Sequence, residues 1–393
     1  MLRIGVVVLL LLWIAGLYTG RTMGGFVHVL LVCGAFALFW LLLISARTDA
    51  EDGLWYFAVS GDSRNCGDVI MPAIARKVRQ DGASFYWHLG DYRAIYDFDQ
   101  DFRESLPQAT ISTYKSTAWQ DFIDRQLTPF GDLPVYLALG NHETIPPKSR
   151  AEAIQQFADW LDAPHIQKQR LADNPKDHLL KTYYHWIDRG VDFIALDNAS
   201  NEQFDSEQLE WFNAVIKRAA ENPNIRTIVV GMHKALPDSL SSGHSMNESA
   251  EGTQSGRTVY HQLVEFRKRT HKNVYVLASH AHFLMENVYN TQCRSKDPDS
   301  VLPGWIVGTA GAVRYRLPRD LNGAGEAKTD VYGYLLGAVS PDGTVRFRFR
   351  QVGKNDLSTT DLQSYSAKFV DSCLVGNSST YVPNGPPQPP NCP

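Results

Sequence analysis

Val135-Tyr136-Leu137-Ala138-Leu139-Gly140-Asn141-His142-Glu143 is a buried-looking apolar run that breaks at a glycine directly into an amide, an imidazole and a carboxylate. The same punctuation recurs on both sides of it. Leu54 to Val59 precedes Gly61-Asp62, Phe85 to Leu89 precedes Gly90-Asp91, Ile228 to Val230 precedes Gly231-Met232-His233, and Val274 to Ala278 precedes Ser279-His280-Ala281-His282. The runs are rich in β-branched and aromatic residues and bounded by turn formers, so they predict buried strands of an α/β fold. Each strand delivers a polar residue at its C-terminal end, the edge of an α/β sheet where ligand-binding loops converge.

Taken together, Asp62, Asp91, Asn141, His233, His280 and His282 supply carboxylate and amide oxygen and imidazole nitrogen, with no thiolate. That donor set suits divalent Mn, Fe or Zn better than a structural cysteine-zinc site. One carboxylate can bridge two cations, and two metals roughly 3.5–4 Å apart clamp both oxygens of an in-line displacement. Taken alone, any one of these residues reads as a turn former or helix cap. The x-His-x-His alternation puts His280 and His282 on one face. His88 lies inside an apolar run and reads as a core residue, and His244 lies in the Ser/Gly-rich loop Ser239 to Ser249, which reads as a solvated loop, the alternative being a reach to substrate.

The ordered series Gly61-Asp62-Ser63-Arg64, Gly90-Asp91, Gly140-Asn141-His142-Glu143, a lone His233 and His280-Ala281-His282 resembles the calcineurin-like metallophosphoesterase family. The resemblance covers about residues 54 to 352 and includes Leu196-Asp197-Asn198 and Gln208-Leu209-Glu210-Trp211. It implies a four-layer αββα sandwich. It also implies that Asp62 and His282 hold a first metal, that Asp91 bridges, and that Asn141, His233 and His280 hold a second. His142 matches the general acid that protonates the leaving alkoxide.

The chain departs from the family pattern at Arg64, where a histidine is usual. Guanidinium offers no acceptor and cannot ligate a cation. It can bind two phosphoryl oxygens as a fork and offset charge developing in the transition state. The structural alternative pairs Arg64 with Asp68 or another carboxylate. The tyrosine ligand of purple acid phosphatases falls at Ala94 here, and the neighbouring Tyr92 is not expected to ligate. No acidic partner for His142 is evident.

Ahead of this region, Ile4 to Tyr18 and Phe26 to Ser45 are uncharged apolar runs separated by Gly20 to Gly25. At ~1.5 Å per residue about 20 residues span a bilayer, which the second run satisfies. Residues Trp13, Gly16-Leu17, Thr19-Gly20, Thr22-Met23-Gly24-Gly25 and His28 resemble small two-helix bacterial membrane proteins. The expected organisation is a transmembrane hairpin over 1–48, a catalytic domain over 49–372 and a Pro-rich tail over 373–393. Arg3 and Arg47 flank the hairpin, which leans toward a cytoplasmic domain. Cysteines lean the other way: a Cys373–Cys392 bridge would close the tail in an oxidising compartment.

A net charge of −4 gives no basic surface for nucleic acid, so the expected partners are a phosphoester and the lipid bilayer. Gly308 to Ala312 is expected as a tight turn under the site. Aromatics of the long interludes (Tyr114, Trp119, Trp160, Tyr183, Tyr184, Trp186) are expected to shape a cleft. The function expected is a membrane-anchored dimetal phosphoesterase hydrolysing a phosphate mono- or diester by metal-activated hydroxide. The alternative is a membrane protein that keeps the fold as an inactive binding or scaffold module.

Overall fold

The structure, a computed structural model, describes residues 13–14, 18, 28–29, 31–33, 35–36, 53–292, 294–360 and 362–382. The chain divides into two compact units, Met1–Leu54 and Trp55–Pro393. In the first unit the described residues from Trp13 to Phe36 are helical, and Trp13 Nε1 donates to His28 Nδ1 at 3.5 Å. Among the described residues no helix is long and apolar enough to cross a membrane. Most of the hairpin expected over 1–48 lies outside the described residues.

The second unit carries two mixed sheets. One has the order β12-β11-β1-β2-β3, with β1 Trp55–Ser60, β2 Ala83–His88, β3 Val135–Leu137, β11 Tyr332–Val339 and β12 Val345–Val352. The other has the order β10-β8-β9-β7-β6-β5-β4. Its strands are β4 Tyr184–Asp188, β5 Val191–Ala195, β6 Thr227–Gly231, β7 Asn273–Ala278, β8 Leu284–Glu286, β9 Gly304–Val307 and β10 Ala327–Lys328. The strands β1, β2 and β3 run parallel, as do β5, β6, β7 and β9, so their C-terminal ends share one edge in each sheet.

Period-two alternation decides which face each side chain serves. Trp55, Phe57, Phe85 and Trp87 point inward and meet Trp186, Phe193 and Trp305 of the other sheet in one aromatic core. Phe57 and Phe193 rings lie 5.0 Å apart, and Trp87 and Trp186 rings 5.2 Å apart. Gly231 is required here, because a Cβ at that position would stand 2.2 Å from the Trp87 ring. On the outer face of the five-stranded sheet lies helix α1, Gly67–Gln80. Ile194, Ile228, Val230 and Val276 point the other way and bury the helices α2, Ser206–Glu221, and α3, Ala250–Thr270. The layers therefore run helix, sheet, sheet, helix.

Two expectations need correction. Cys373 is bonded to Cys66, not to Cys392, across a sequence separation of 307. After β12 the chain returns past the start of α1, where Tyr365 donates to Asp68, and this path brings Cys373 to within 5.8 Å Cα–Cα of Cys66. Arg314 then pairs with the following segment: its N–H donates to Asn377 O, and Ser379 N–H donates to Arg314 O. The interlude aromatics Tyr114, Trp119, Tyr184 and Trp186 are buried and belong to the core, not to a cleft. Asp68, the alternative partner for Arg64, is instead paired with Arg93 at 2.7 Å, and Arg64 faces the candidate site as expected.

Candidate metal centre

The turns after β1, β2, β3, β6 and β7 carry Asp62, Asp91, Asn141-His142, His233 and His280-Ala281-His282 to one place. They are knitted by backbone bonds: Asp62 N–H donates to Gly90 O at 2.9 Å, Ser63 N–H to Asp91 O at 3.0 Å, and Ser279 N–H to His233 O at 2.9 Å. Asp62, Asp91 and His280 sit at φ of 60°, 61° and 64°. This left-handed region costs non-glycine residues energy and is found clustered at functional sites. Gly140 is also sterically fixed, since a Cβ there would lie 2.2 Å from Asp91 Oδ1. The turn Gly308 to Ala312 backs the Asp62 loop as expected, with Ala310 N–H donating to Gly61 O and Ala312 N–H to Asp62 O.

All six expected ligands converge, in two groups that share Asp91. In the first, Asp62 Oδ1 lies 3.2 Å from His282 Nε2, with Asp91 alongside. In the second, Asp91 Oδ1 lies 3.2 Å from His233 Nε2, which is 3.0 Å from His280 Nδ1 and 3.1 Å from Asn141 Oδ1. Asp62 Oδ1 and Asp91 Oδ2 are buried and accept no well-formed hydrogen bond, with His282 Nε2 3.2 Å from the first and His142 Nε2 3.6 Å from the second. Buried carboxylate oxygens that face converging imidazole nitrogens in this way fit a pair of cations.

The ring nitrogens are oriented from behind. His233 Nδ1 meets Leu89 O at 2.8 Å and His282 Nδ1 meets Val313 O at 2.6 Å, which leaves each Nε2 free to face the site. Burial alone would raise both aspartic acids. His282 and His233 outweigh it and hold Asp62 at about 2, while His142 and His233, with Arg64, hold Asp91 well below the usual range. Burial lowers His282, and lowers His280 to about 3. It would lower His233 as well, but Asp91 and Asp62 raise that imidazole to about 9.

His142 Nδ1 lies 2.6 Å from Ala94 O, so a backbone carbonyl takes the place of the acidic partner that the sequence lacks. Its Nε2 faces Arg64 and stands 3.6 Å from Asp91 Oδ2. Arg64 is buried, with Nη2 3.0 Å from His282 Nε2 and Nε 3.8 Å from Asp91 Oδ2. Tyr92 is occupied elsewhere, donating to Ala138 O at 2.8 Å. His88 is a core residue whose Nδ1 accepts from Gly90 N–H at 3.2 Å. His244 packs its ring 4.3 Å from His280 and against Tyr315 and Tyr381 at the rim.

Two roles carried no weight in the sequence reading. Glu143 accepts from the N–H groups of Gly140, Asp91 and Tyr92 at 2.7, 2.9 and 2.9 Å, clamping the β2 and β3 turns together. Its signal is a Glu three residues after the start of a helical turn, the spacing from which a carboxylate reaches back to backbone N–H groups. Burial and neighbouring Asp91 push its carboxyl up to about 8. Asn198 exchanges two hydrogen bonds with the Lys234 backbone, at 2.6 and 3.0 Å, and so pins the His233 turn.

Residues 58–283 match the family described as calcineurin-like phosphoesterase. No curated protein matches the chain. Among solved structures, the chain is similar to the purple acid phosphatase PPD1 of yellow lupin (Lupinus luteus) seeds, with a TM-score of 0.51 and 15% identity. That match covers 83% of this chain and only 56% of the lupin chain, and at such identity it bears on the fold alone. GAP50, the anchor in the inner membrane complex of Plasmodium, aligns with a TM-score of 0.43 and 13% identity, over 86% of this chain and 99% of that one. PhoD aligns with a TM-score of 0.46 and 14% identity, over 77% and 72%.

Proposed function

The chain belongs to the calcineurin-like phosphoesterase family, and from that premise we propose a membrane-anchored phosphoesterase that cleaves a phosphate mono- or diester at the Asp91-bridged centre. It is a metal-dependent phosphoester hydrolase, and its donor groups suit a dinuclear divalent centre of Mn, Fe or Zn. The observation that carries the site assignment is the sharing of Asp91 between two donor groups that otherwise have no common member. Asp62, Asp91 and His282 would hold one cation; Asp91, Asn141, His233 and His280 would hold the other. Such cations supply Lewis-acid activation of water and of the phosphoryl oxygens.

The chain's own residues do the rest. His142, held at Nδ1 by Ala94 O, presents Nε2 beside Asp91 and is placed to protonate the departing alkoxide. Arg64 stands with Nη2 on His282 Nε2, the nitrogen a first cation needs. A cation held on that nitrogen would free the guanidinium from His282, and Arg64 would then be placed to bind phosphoryl oxygens as a fork. Arg64→Ala should leave metal stoichiometry unchanged and lower kcat/KM by about 10²–10³-fold, the range for loss of one transition-state donor. Lys should rescue only in part, since it lacks the bidentate geometry. Metal analysis and hydrolysis of aryl phosphate mono- and diesters by the full chain test both, and full activity of Arg64→Ala would remove the role.

Membrane anchoring rests on the N-terminal runs. Of their described residues, Ile14, Tyr18, Val29, Val32 and Phe36 are helical apolar side chains that stand exposed, an arrangement suited to lipid. The Cys66–Cys373 bridge supports an oxidising, extracytoplasmic side for the catalytic unit. The expected result is that the full chain stays with the membrane pellet through alkaline carbonate extraction. Release into the supernatant would overturn the anchor.

A further inference from the structure

Of the three imidazoles assigned to the cations, two are fixed from behind by a backbone carbonyl. His280 is not. Its Nδ1 is turned to the centre, 3.0 Å from His233 Nε2, so its Nε2 points outward. That nitrogen is buried and has no hydrogen-bond partner, and a carboxylate oxygen, Glu248 Oε2, lies 3.6 Å from it.

Glu248 is itself held. Its Oε2 accepts from Lys234 Nζ at 2.7 Å and its Oε1 lies 3.1 Å from His244 Nδ1. It ends the short turn Met246–Glu248, whose loop is anchored by Met246 N–H to Ala235 O at 3.0 Å and Asp238 N–H to Asn247 Oδ1 at 2.8 Å. Lys234 directly follows His233, so both histidines of the second group meet the same carboxylate, His280 through its own ring and His233 through the next residue.

We propose that Glu248 is the positioning residue of the second cation site, accepting the Nε2–H of His280 while Nδ1 faces the metal. Metal-bound histidines gain orientation and basicity when the far ring nitrogen donates to a carboxylate, and loss of such a partner typically costs ~10–100-fold in metal affinity. Glu248, His244 and His280 also present donor atoms close enough to hold a cation of their own. The Lys234 ammonium already supplies the positive charge there, which favours the orienting role over a third metal. The inference rests on the two-metal reading above.

The test strips the full chain of metal and titrates it with Co²⁺, following the visible absorption and the bound stoichiometry. The wild type should take up two equivalents. In Glu248→Ala the second should weaken by ~10–100-fold with an altered absorption band while the first is unchanged, and Glu248→Gln, still an acceptor, should fall between. Lys234→Met should keep both equivalents, because it removes the ion pair and leaves the carboxylate on His280. Equal affinity in Glu248→Ala overturns the proposal, as does a Lys234→Met variant as weak as Glu248→Ala, which would reduce Glu248 to a loop anchor. A third wild-type equivalent lost in Glu248→Ala would make Glu248 a ligand and overturn it too. Absence of any binding in the wild type would remove the two-metal reading itself, and this inference with it.

Discussion

Asp91→Asn is expected to bring hydrolysis to background while the fold survives. The substitution keeps the size of the side chain and its tolerance of the left-handed backbone at φ 61°. It removes the one charge common to both donor groups. Loss of a single transition-state donor costs about 10²–10³-fold, and failure of the shared bridge should exceed that, at more than ~10³-fold. Steady-state turnover in metal-replete buffer, with far-ultraviolet dichroism as the folding control, checks it. Turnover within tenfold of wild type would mean that the centre lies elsewhere.

The second large effect is on stability. Joining residues 307 apart restricts the unfolded chain far more than a short loop does. The chain-entropy estimate is about 4.7 kcal/mol for a 100-residue loop and rises only slowly beyond it. At roughly 2–4 °C per kcal/mol for a large domain, Cys66→Ala/Cys373→Ala should melt on the order of 10 °C below the wild type. Scanning calorimetry of the full chain with and without reductant should show the same displacement in the reduced wild type. Coincident melting curves would show that the bridge contributes nothing. Alanine is the better probe because both cysteines are buried, and serine would add an unpaired hydroxyl.

The candidate site was legible in the sequence because each expected ligand follows a strand, and in a parallel sheet strand ends carry spatial meaning. Asp62, Asp91, Asn141, His233, His280 and His282 come together for that reason. What escaped was settled by the path of the chain or by the backbone. His142 is oriented by the Ala94 carbonyl, an acceptor that every residue owns and that leaves no mark in sequence. Arg64 could have paired with Asp68, but Asp68 is taken by Arg93, 25 residues further on. Cys373 finds Cys66 because the tail turns back past α1, whereas spacing alone favoured its neighbour Cys392. Tyr114, Trp119, Tyr184 and Trp186 read as cleft walls because a large aromatic residue suits a pocket or a core equally well, and burial between layers chose the core.

The left-handed backbone at Asp62, Asp91 and His280 carries a consequence for directed evolution. At these positions glycine would relieve backbone strain that the ligands must endure. A selection on heat resistance alone would thus reward sequences that have discarded the metal pair. Thermostable variants of this chain should be sought with turnover scored in every round, because the easiest gains lie where function is lost.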